Sequence, residues 1–189
     1  MSEMLDSKDN SVKIKKMVLA ALFAALIAVG AYIHIPILIS PIPITLQTFF
    51  VLLVAVMLGR NWGTVCIIVY LLVGMIGFPV FTAGKSGLGT LLGPTGGYLY
   101  SFIIVAYLVG YLSEKTKKKP LPLFFISLFG SLLILGIGTF HLVISTGISP
   151  MAAFVVAFLP FVLGDFIKSI AVALIAVILN KKINFGFES

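Results

Sequence analysis

The polarity pattern of the chain is a series of long uncharged intervals separated by short basic segments. Residues 17–59 contain no Asp, Glu, Lys or Arg, and between residues 121 and 179 only Asp165 and Lys168 are charged. A helix of about 20 apolar residues crosses a hydrocarbon layer of about 30 Å. The pattern therefore predicts membrane-spanning helices.

Breaks within these intervals predict six spans. Prolines between residues 36 and 43 divide the first interval into two helices, and residues 62–78 and 97–112 form the third and fourth. A glycine- and proline-containing break at 146–150 divides the last interval into the fifth and sixth helices. We expect the sixth helix to cover residues 160–180, after a short outer segment.

The composition excludes an ordinary soluble domain. Hydrophobic residues make up 60% of the 189 positions and charged residues 10%, with a mean hydropathy of +1.21, whereas soluble domains carry about 25% charged residues. The net charge of +7 does not indicate nucleic-acid binding, because the basic residues separate apolar stretches and form no basic face. Cys66 is the single cysteine, which excludes an internal disulfide.

The basic residues also predict the orientation, since cytoplasmic loops collect Lys and Arg. With the N-terminus inside, only Lys85 and Lys168 of the 13 basic residues lie away from the cytoplasmic side. We therefore expect an all-α integral membrane protein of six helices with both termini cytoplasmic. Its parts are a disordered tail at 1–12, one membrane domain at 13–182 and a cytoplasmic tail at 183–189. The competing interpretation, a cleaved signal peptide ending near Ala31, would leave five spans.

Asp165 and Lys168 are the first candidates for chemistry, because ionisable residues inside a membrane are costly. Their i, i+3 spacing places them on one helical face, where they can neutralise each other. If the last helix begins at Pro160, both lie in the outer half of the membrane. The pair is interpretable as a ligand site, as an ion pair that fixes packing, or as a proton relay.

Other motifs give weaker evidence of a functional site. The sequence Gly84-Lys85-Ser86 resembles a phosphate-binding loop but lacks the required preceding glycine, so no nucleotide site is predicted. The six glycines from Gly84 to Gly97 indicate either a backbone that turns tightly and approaches something bound or a flexible surface loop. His34 and His141 have no ligand partners at suitable spacing, so satisfied polar side chains are expected and no metal site.

The first helix carries a stripe of small residues at four-residue spacing, Ala20, Ala24 and Ala28. Small residues allow another helix to approach closely. The stripe is either an interface for a membrane partner or a surface for internal packing.

Three segments enter the membrane from the same predicted side. They are residues 41–48 (PIPITLQT), 87–98 (GLGTLLGPTGGY) and 160–168 (PFVLGDFIK). Together they resemble the BioY family, the biotin-specific substrate-binding (S) components of energy-coupling-factor transporters. The resemblance extends from about Lys16 to Lys181.

The resemblance implies a bacterial plasma-membrane protein that captures biotin at the outer face. It implies as partners a transmembrane coupling subunit and two cytoplasmic ATPase subunits, with no cofactor in this chain and ATP used by the partners. It assigns the alanine stripe to the contact with the coupling subunit. It also implies that the loops 36–43 and 79–93 cover the ligand.

Polar and aromatic residues of these segments are the candidate ligand-binding positions. Biotin offers ureido N–H donors, a carbonyl oxygen and a carboxylate, which suit a carboxylate, an ammonium, an amide and hydroxyls, with aromatic side chains against the ring. The predicted binding residues are Asp165, Lys168, Gln47, Thr45, Thr48, Phe81, Tyr98 and Gly89.

The predicted function is biotin capture without enzymatic activity. Two alternatives are a proton-coupled carrier that works alone and a membrane-embedded enzyme that uses Asp165 and Lys168. Both are weakened because Asp165 is the only carboxylate expected inside the membrane.

Overall fold

The computed structural model describes residues 2–40, 42–116 and 118–182, which form an all-helical bundle with one two-stranded ribbon. The strands pair antiparallel, with His34 opposite Thr45 and Ile35 opposite Ile44. The elements are α1 (Ser2–Tyr32), β1 (His34–Ile35), β2 (Ile44–Thr45), α2 (Gln47–Met75), α3 (Leu88–Leu92), α4 (Gly96–Glu114), α5 (Pro120–Thr146), α6 (Pro150–Ala157) and α7 (Leu159–Lys182).

Five helices in the described part of the chain, α1, α2, α4, α5 and α7, are long and apolar enough to cross a membrane. The bounds of α4, α5 and α7 agree with the predicted spans, and α6 is the predicted short segment before the last one. The structure differs from the sequence prediction at residues 2–12, where a disordered tail is expected and α1 continues as helix. Extending an existing helix costs far less than nucleating one. The predicted tail at 183–189 lies outside the described residues.

The predicted second and third spans are two arms of α2, because the helix breaks at Gly59 (φ 72°, ψ −177°). A carbon added at Gly63 would lie 3.2 Å from Cα of Ala55. Farther from the break, the Gln47 amide nitrogen lies 2.6 Å from the Tyr70 hydroxyl. Positions on either side of Gly59 are therefore adjacent in space, so the two arms run antiparallel. The first arm, residues 47–58, is about 18 Å long.

Charged side chains from the end of α4 and from the following loop cap the two helix ends at the break. Oε1 of Glu114 accepts the backbone N–H of Arg60 at 2.8 Å. Nζ of Lys118 donates to the carbonyl of Val56 at 2.6 Å. A carboxylate thus meets the positive N-terminus of one arm and an ammonium the negative C-terminus of the other. Burial lowers the pKa of Lys118, and the nearby Glu114 carboxylate opposes this shift.

The first arm of α2 is the centre of the bundle. Every residue from Val51 to Gly59 is buried, and α1, α4, α5 and α7 all contact α2. Burial on every side makes this arm a core helix and not one that faces lipid. This placement holds Gln47 and Thr48, at the start of the arm, in the interior at the end of the bundle that carries β1 and β2, called here the ribbon end.

Candidate ligand-binding site

A cavity lies at the ribbon end, between the start of α2, the start of α4, α5, α7 and the segment that follows α2. Its empty volume, which includes the open solvent at its mouth, is about 820 Å³. Seven of the eight predicted residues line it: Thr45, Gln47, Thr48, Phe81, Tyr98, Asp165 and Lys168. The three sequence segments therefore meet around one space.

Asp165 and Lys168 form an ion pair in the wall of this cavity. Nζ of Lys168 lies 3.0 Å from Oδ1 of Asp165 and donates to the Thr48 hydroxyl at 2.9 Å. Asp165 is 2% exposed. Its second oxygen, Oδ2, is buried and has no hydrogen-bond partner among the described residues. A buried acceptor without a partner is costly, so this oxygen is suited to accept a hydrogen bond from a bound ligand.

A second polar group centres on Gln47, which is 3% exposed. Its Nε2 donates to the Tyr70 hydroxyl at 2.6 Å, and its Oε1 accepts from the Thr82 hydroxyl at 3.1 Å. Tyr70 in turn donates to the carbonyl of Val80 at 2.9 Å. The amide is therefore held by both α2 and the segment that follows it. Neither Tyr70 nor Thr82 is among the binding residues predicted from the sequence.

The two predicted aromatic residues have fixed positions. Phe81 is 1% exposed, and its ring packs against Gly74, where an added carbon would lie 2.1 Å from the ring. The Tyr98 hydroxyl donates to the carbonyl of Ala157 at 3.0 Å and lies 3.3 Å from the Thr139 hydroxyl. Both rings can thus act as preformed apolar walls.

Gly89 is the predicted residue that does not line the cavity. It lies in the short helix α3, is exposed, and has open space where a side chain would begin. Thr90 and Thr95, from the same glycine-rich segment, line the cavity instead. A glycine motif indicates a turning backbone but not which of its residues face inward, and α3 turns Gly89 away.

Among the described residues, the charged groups that line the cavity are Lys85, Asp165 and Lys168. Since Lys168 is paired with Asp165, the formal charge of the lining is +1. The remaining lining residues are apolar or carry hydroxyl or amide groups. The site therefore suits a ligand with an apolar body, a few hydrogen-bonding groups and one negative charge.

The histidines and the cysteine have local structural roles. His141 Nε2 lies 3.1 Å from the carbonyl of Gly93, and His34 Nδ1 lies 2.9 Å from the carbonyl of Tyr32. The Cys66 thiol donates to the carbonyl of Ala20 at 3.1 Å. Among the described residues, no group of three or more His, Cys, Asp or Glu side chains is placed to hold a metal ion.

The alanine stripe of α1 only partly faces outward. Ala20 is buried at 6% exposure, whereas Ala24 and Ala28 are half-buried and pack against the core cluster. The alanines next to the stripe, Ala21 and Ala25, are exposed. The family resemblance assigns Ala20 to a partner interface, whereas in the structure this side chain is buried against the protein's own core. The helical spacing does not reveal which side of α1 meets α2.

Known proteins match this chain over most of its length. The model of the BioY family matches residues 4–185. The biotin transporter BioY of Thermotoga maritima is 39% identical over 175 residues, covering 88% of this chain and 96% of that protein. The biotin transporter BioY2 of Lactococcus lactis is 40% identical over 174 residues, covering 92% and 94%. Both relatives are named transporters and not enzymes.

The fold is also similar to a solved structure. The crystal structure of the S-component for biotin from an ECF-type ABC transporter has a TM-score of 0.84 at 29% identity, covering 91% of this chain and 94% of that one. With its apolar helices and these transporter relatives, the protein is a multi-pass membrane protein. A family match over nearly the whole length and relatives at about 40% identity establish that the chain belongs to the BioY family.

Proposed function

We propose that this protein is the substrate-binding subunit of a biotin uptake system and holds biotin in the cavity at the ribbon end. The observation that carries the proposal is the buried Asp165–Lys168 pair with its unpartnered oxygen Oδ2, which lines a preformed cavity. The relatives that share most of the chain are named biotin transporters.

The chemistry of biotin matches the polar groups of the cavity. Oδ2 of Asp165 accepts a ureido N–H, and Lys168 lies beside it to pair with a ligand oxygen. Gln47, Thr45 and Thr48 offer further hydrogen bonds, and Phe81 and Tyr98 contact the apolar ring and chain. The single net positive charge of the lining complements the single carboxylate of biotin.

The proposed topology has six crossings with both termini in the cytoplasm. The reversal at Gly59 supports counting the arms of α2 as two crossings. The ribbon end then faces outward and the break at Gly59 faces the cytoplasm. This orientation places 11 of the 13 basic residues on the cytoplasmic side, and it opens the cavity to the outside of a bacterial plasma membrane.

A single experiment tests both the ligand and the orientation. The purified protein is expected to bind radiolabelled biotin at submicromolar concentration, and right-side-out vesicles to bind it without permeabilisation. Lipoate, which has a similar acid chain and a sulfur ring but no ureido group, is the matched control and is expected not to compete. Absence of biotin binding contradicts the function, and binding by intact inside-out vesicles alone contradicts the orientation.

The proposed transport step requires a transmembrane coupling subunit and two cytoplasmic ATPase subunits, which use ATP. No nucleotide motif is present in the sequence, and the solved neighbour is a component of an ECF-type ABC transporter. Ala24 and Ala28, half-buried at the edge of the inward face of α1, are the part of the predicted interface that a partner helix can reach.

Replacing Ala24 with Trp is therefore expected to prevent assembly with the coupling subunit while biotin binding stays at the level of the unmodified protein. A bulky side chain at the edge of the stripe holds a partner helix away from the small-residue surface. Co-purification with the coupling subunit and ATP-dependent uptake are the measurements. Leu22→Trp, at an exposed position elsewhere on α1, is the control. Loss of biotin binding in Ala24→Trp would instead show that the larger side chain disturbs the core against which Ala24 packs, and would contradict an interface at this position.

A further inference from the structure

We propose that Tyr70 is a positioning residue for the ligand: its hydroxyl fixes the orientation of the Gln47 amide and attaches the segment 80–82 to α2. The proposal rests on the function proposed above, since Gln47 acts there on bound biotin. Tyr70 lies on the second arm of α2 and is 1% exposed. It does not line the cavity, whereas Gln47, Phe81 and Thr82 do.

The hydrogen-bond donors and acceptors allow only one orientation of the amide. A carbonyl oxygen only accepts, so the bond between Tyr70 and Val80 uses the single hydroxyl proton of Tyr70. Toward Gln47, the Tyr70 oxygen can then only accept, and the amide must present Nε2 to it. Oε1 consequently faces Thr82, whose hydroxyl donates to it. In the reversed amide, two oxygen acceptors would face each other at the Tyr70 position.

The fixed Gln47 amide can still form hydrogen bonds with a ligand. An amide nitrogen has two N–H donors and its oxygen two lone pairs, and the bonds to Tyr70 and Thr82 use one of each. Gln47 therefore offers a ligand one N–H donor and one oxygen acceptor. These two groups cannot exchange places, because the amide cannot reverse. The carbonyl of Val80 determines this arrangement although it lies outside the lining of the cavity.

The same hydroxyl holds the segment 80–82 against α2. Phe81, between Val80 and Thr82, packs edge-on against the Tyr70 ring, with the ring centroids 5.7 Å apart. It occupies the space left by the missing side chain of Gly74. The hydrogen bonds that join Val80 to Tyr70, Tyr70 to Gln47 and Gln47 to Thr82 thus form a ring that the backbone of Phe81 closes. A ligand that contacts Phe81 and Gln47 meets parts of one connected unit.

Replacing Tyr70 with Phe tests the proposal, because the ring that packs against Phe81 is retained while the hydroxyl is lost. The dissociation rate of radiolabelled biotin is expected to rise about tenfold, with the association rate within about twofold of the unmodified protein. A purely structural role would instead lower the fraction of protein able to bind and leave the dissociation rate of that fraction unchanged. Tyr107→Phe, at an exposed position on α4, is the control.

Variants of Thr82 form the second part of the experiment. They test the proposal even if Tyr70→Phe does not fold. Thr82→Val, which removes the hydroxyl at nearly constant shape, is expected to raise the dissociation rate, and Thr82→Ser to leave it unchanged. In the double variant of Tyr70→Phe and Thr82→Val, the increase is expected to be smaller than the product of the single increases, since both act on one amide. Unchanged dissociation in Tyr70→Phe or Thr82→Val, or fully multiplicative effects, overturns the proposal. Failure of the unmodified protein to bind biotin would instead overturn the proposed function.

Discussion

Replacing Asp165 with Asn is expected to weaken biotin binding by about 10- to 100-fold while the protein still inserts and folds. Hydrogen bonds to charged groups contribute about 1.5–3 kcal/mol, and each 1.4 kcal/mol is a factor of about ten in affinity. Asn retains the size of Asp165, but an amide nitrogen can take the place of the acceptor Oδ2. It also leaves the Lys168 ammonium, bonded to Oδ1 and Thr48, without its counter-charge.

Equilibrium binding of radiolabelled biotin measures this effect, and two further variants of α7 make the result specific. Gly164→Ala adds a methyl group next to Asp165, where no atom beyond the adjacent residues and the backbone of the helix itself lies within 4 Å, and this variant is expected to bind biotin normally. The double replacement of Asp165 by Asn and Lys168 by Met removes both charges, so it is expected to recover thermal stability but not affinity. If Asp165→Asn and Lys168→Met each retained full affinity, the pair would serve packing only.

The sequence is a good guide to this pair for a physical reason. The cost of a charge in a membrane makes Asp165 and Lys168 conspicuous against an uncharged background, and i, i+3 spacing is a strictly local property of a helix. Both facts can be read without knowing how the helices pack. The structure accordingly places the two side chains 3.0 Å apart in a cavity wall, as the sequence predicts.

The role of Tyr70 cannot be predicted from the sequence. It lies in an apolar run, where a tyrosine is equally suited to the core, to the membrane interface or to a site. Its hydrogen-bond partners Gln47 and Val80 are 23 and 10 positions away, so no local spacing connects them. The same limit applies to the alanine stripe: Ala20 faces the core, because the direction in which α1 meets α2 is a tertiary property.

The break in α2 is only partly predictable from the sequence. Gly59 followed by Arg60 ends a long uncharged interval, so the position of the reversal is predictable from the sequence. The groups that complete it are not, because Glu114 and Lys118 reach the break from 54 and 62 positions away. In the sequence Lys118 belongs to a basic run whose apparent role is membrane orientation, whereas in the structure its ammonium is a helix cap.

Replacing Gly59 with Ala is expected to lower the free energy of unfolding by about 1.5–5 kcal/mol, by two separate effects. The φ and ψ of Gly59, 72° and −177°, fall in a region occupied almost only by glycine, where another residue costs about 1–3 kcal/mol. An added carbon would also lie 2.3 Å from Oε1 of Glu114. The carboxylate must move, and the loss of its bond to the Arg60 N–H costs about 0.5–2 kcal/mol, as for other helix caps.

Thermal unfolding in detergent measures this loss, with the midpoint expected to fall by roughly 5–15 °C. Gly136→Ala is the matched control, since Gly136 lies within α5 with no atom within 4 Å of the added carbon, and its midpoint is expected to stay the same or rise. A third variant, Glu114→Ala, separates the two effects. It removes both the cap and the collision, so Gly59→Ala made in that background is expected to cost only the backbone strain. A midpoint for Gly59→Ala equal to that of the unmodified protein would show that α2 does not need the left-handed residue, and the hairpin of its two arms would then have to be held by packing alone.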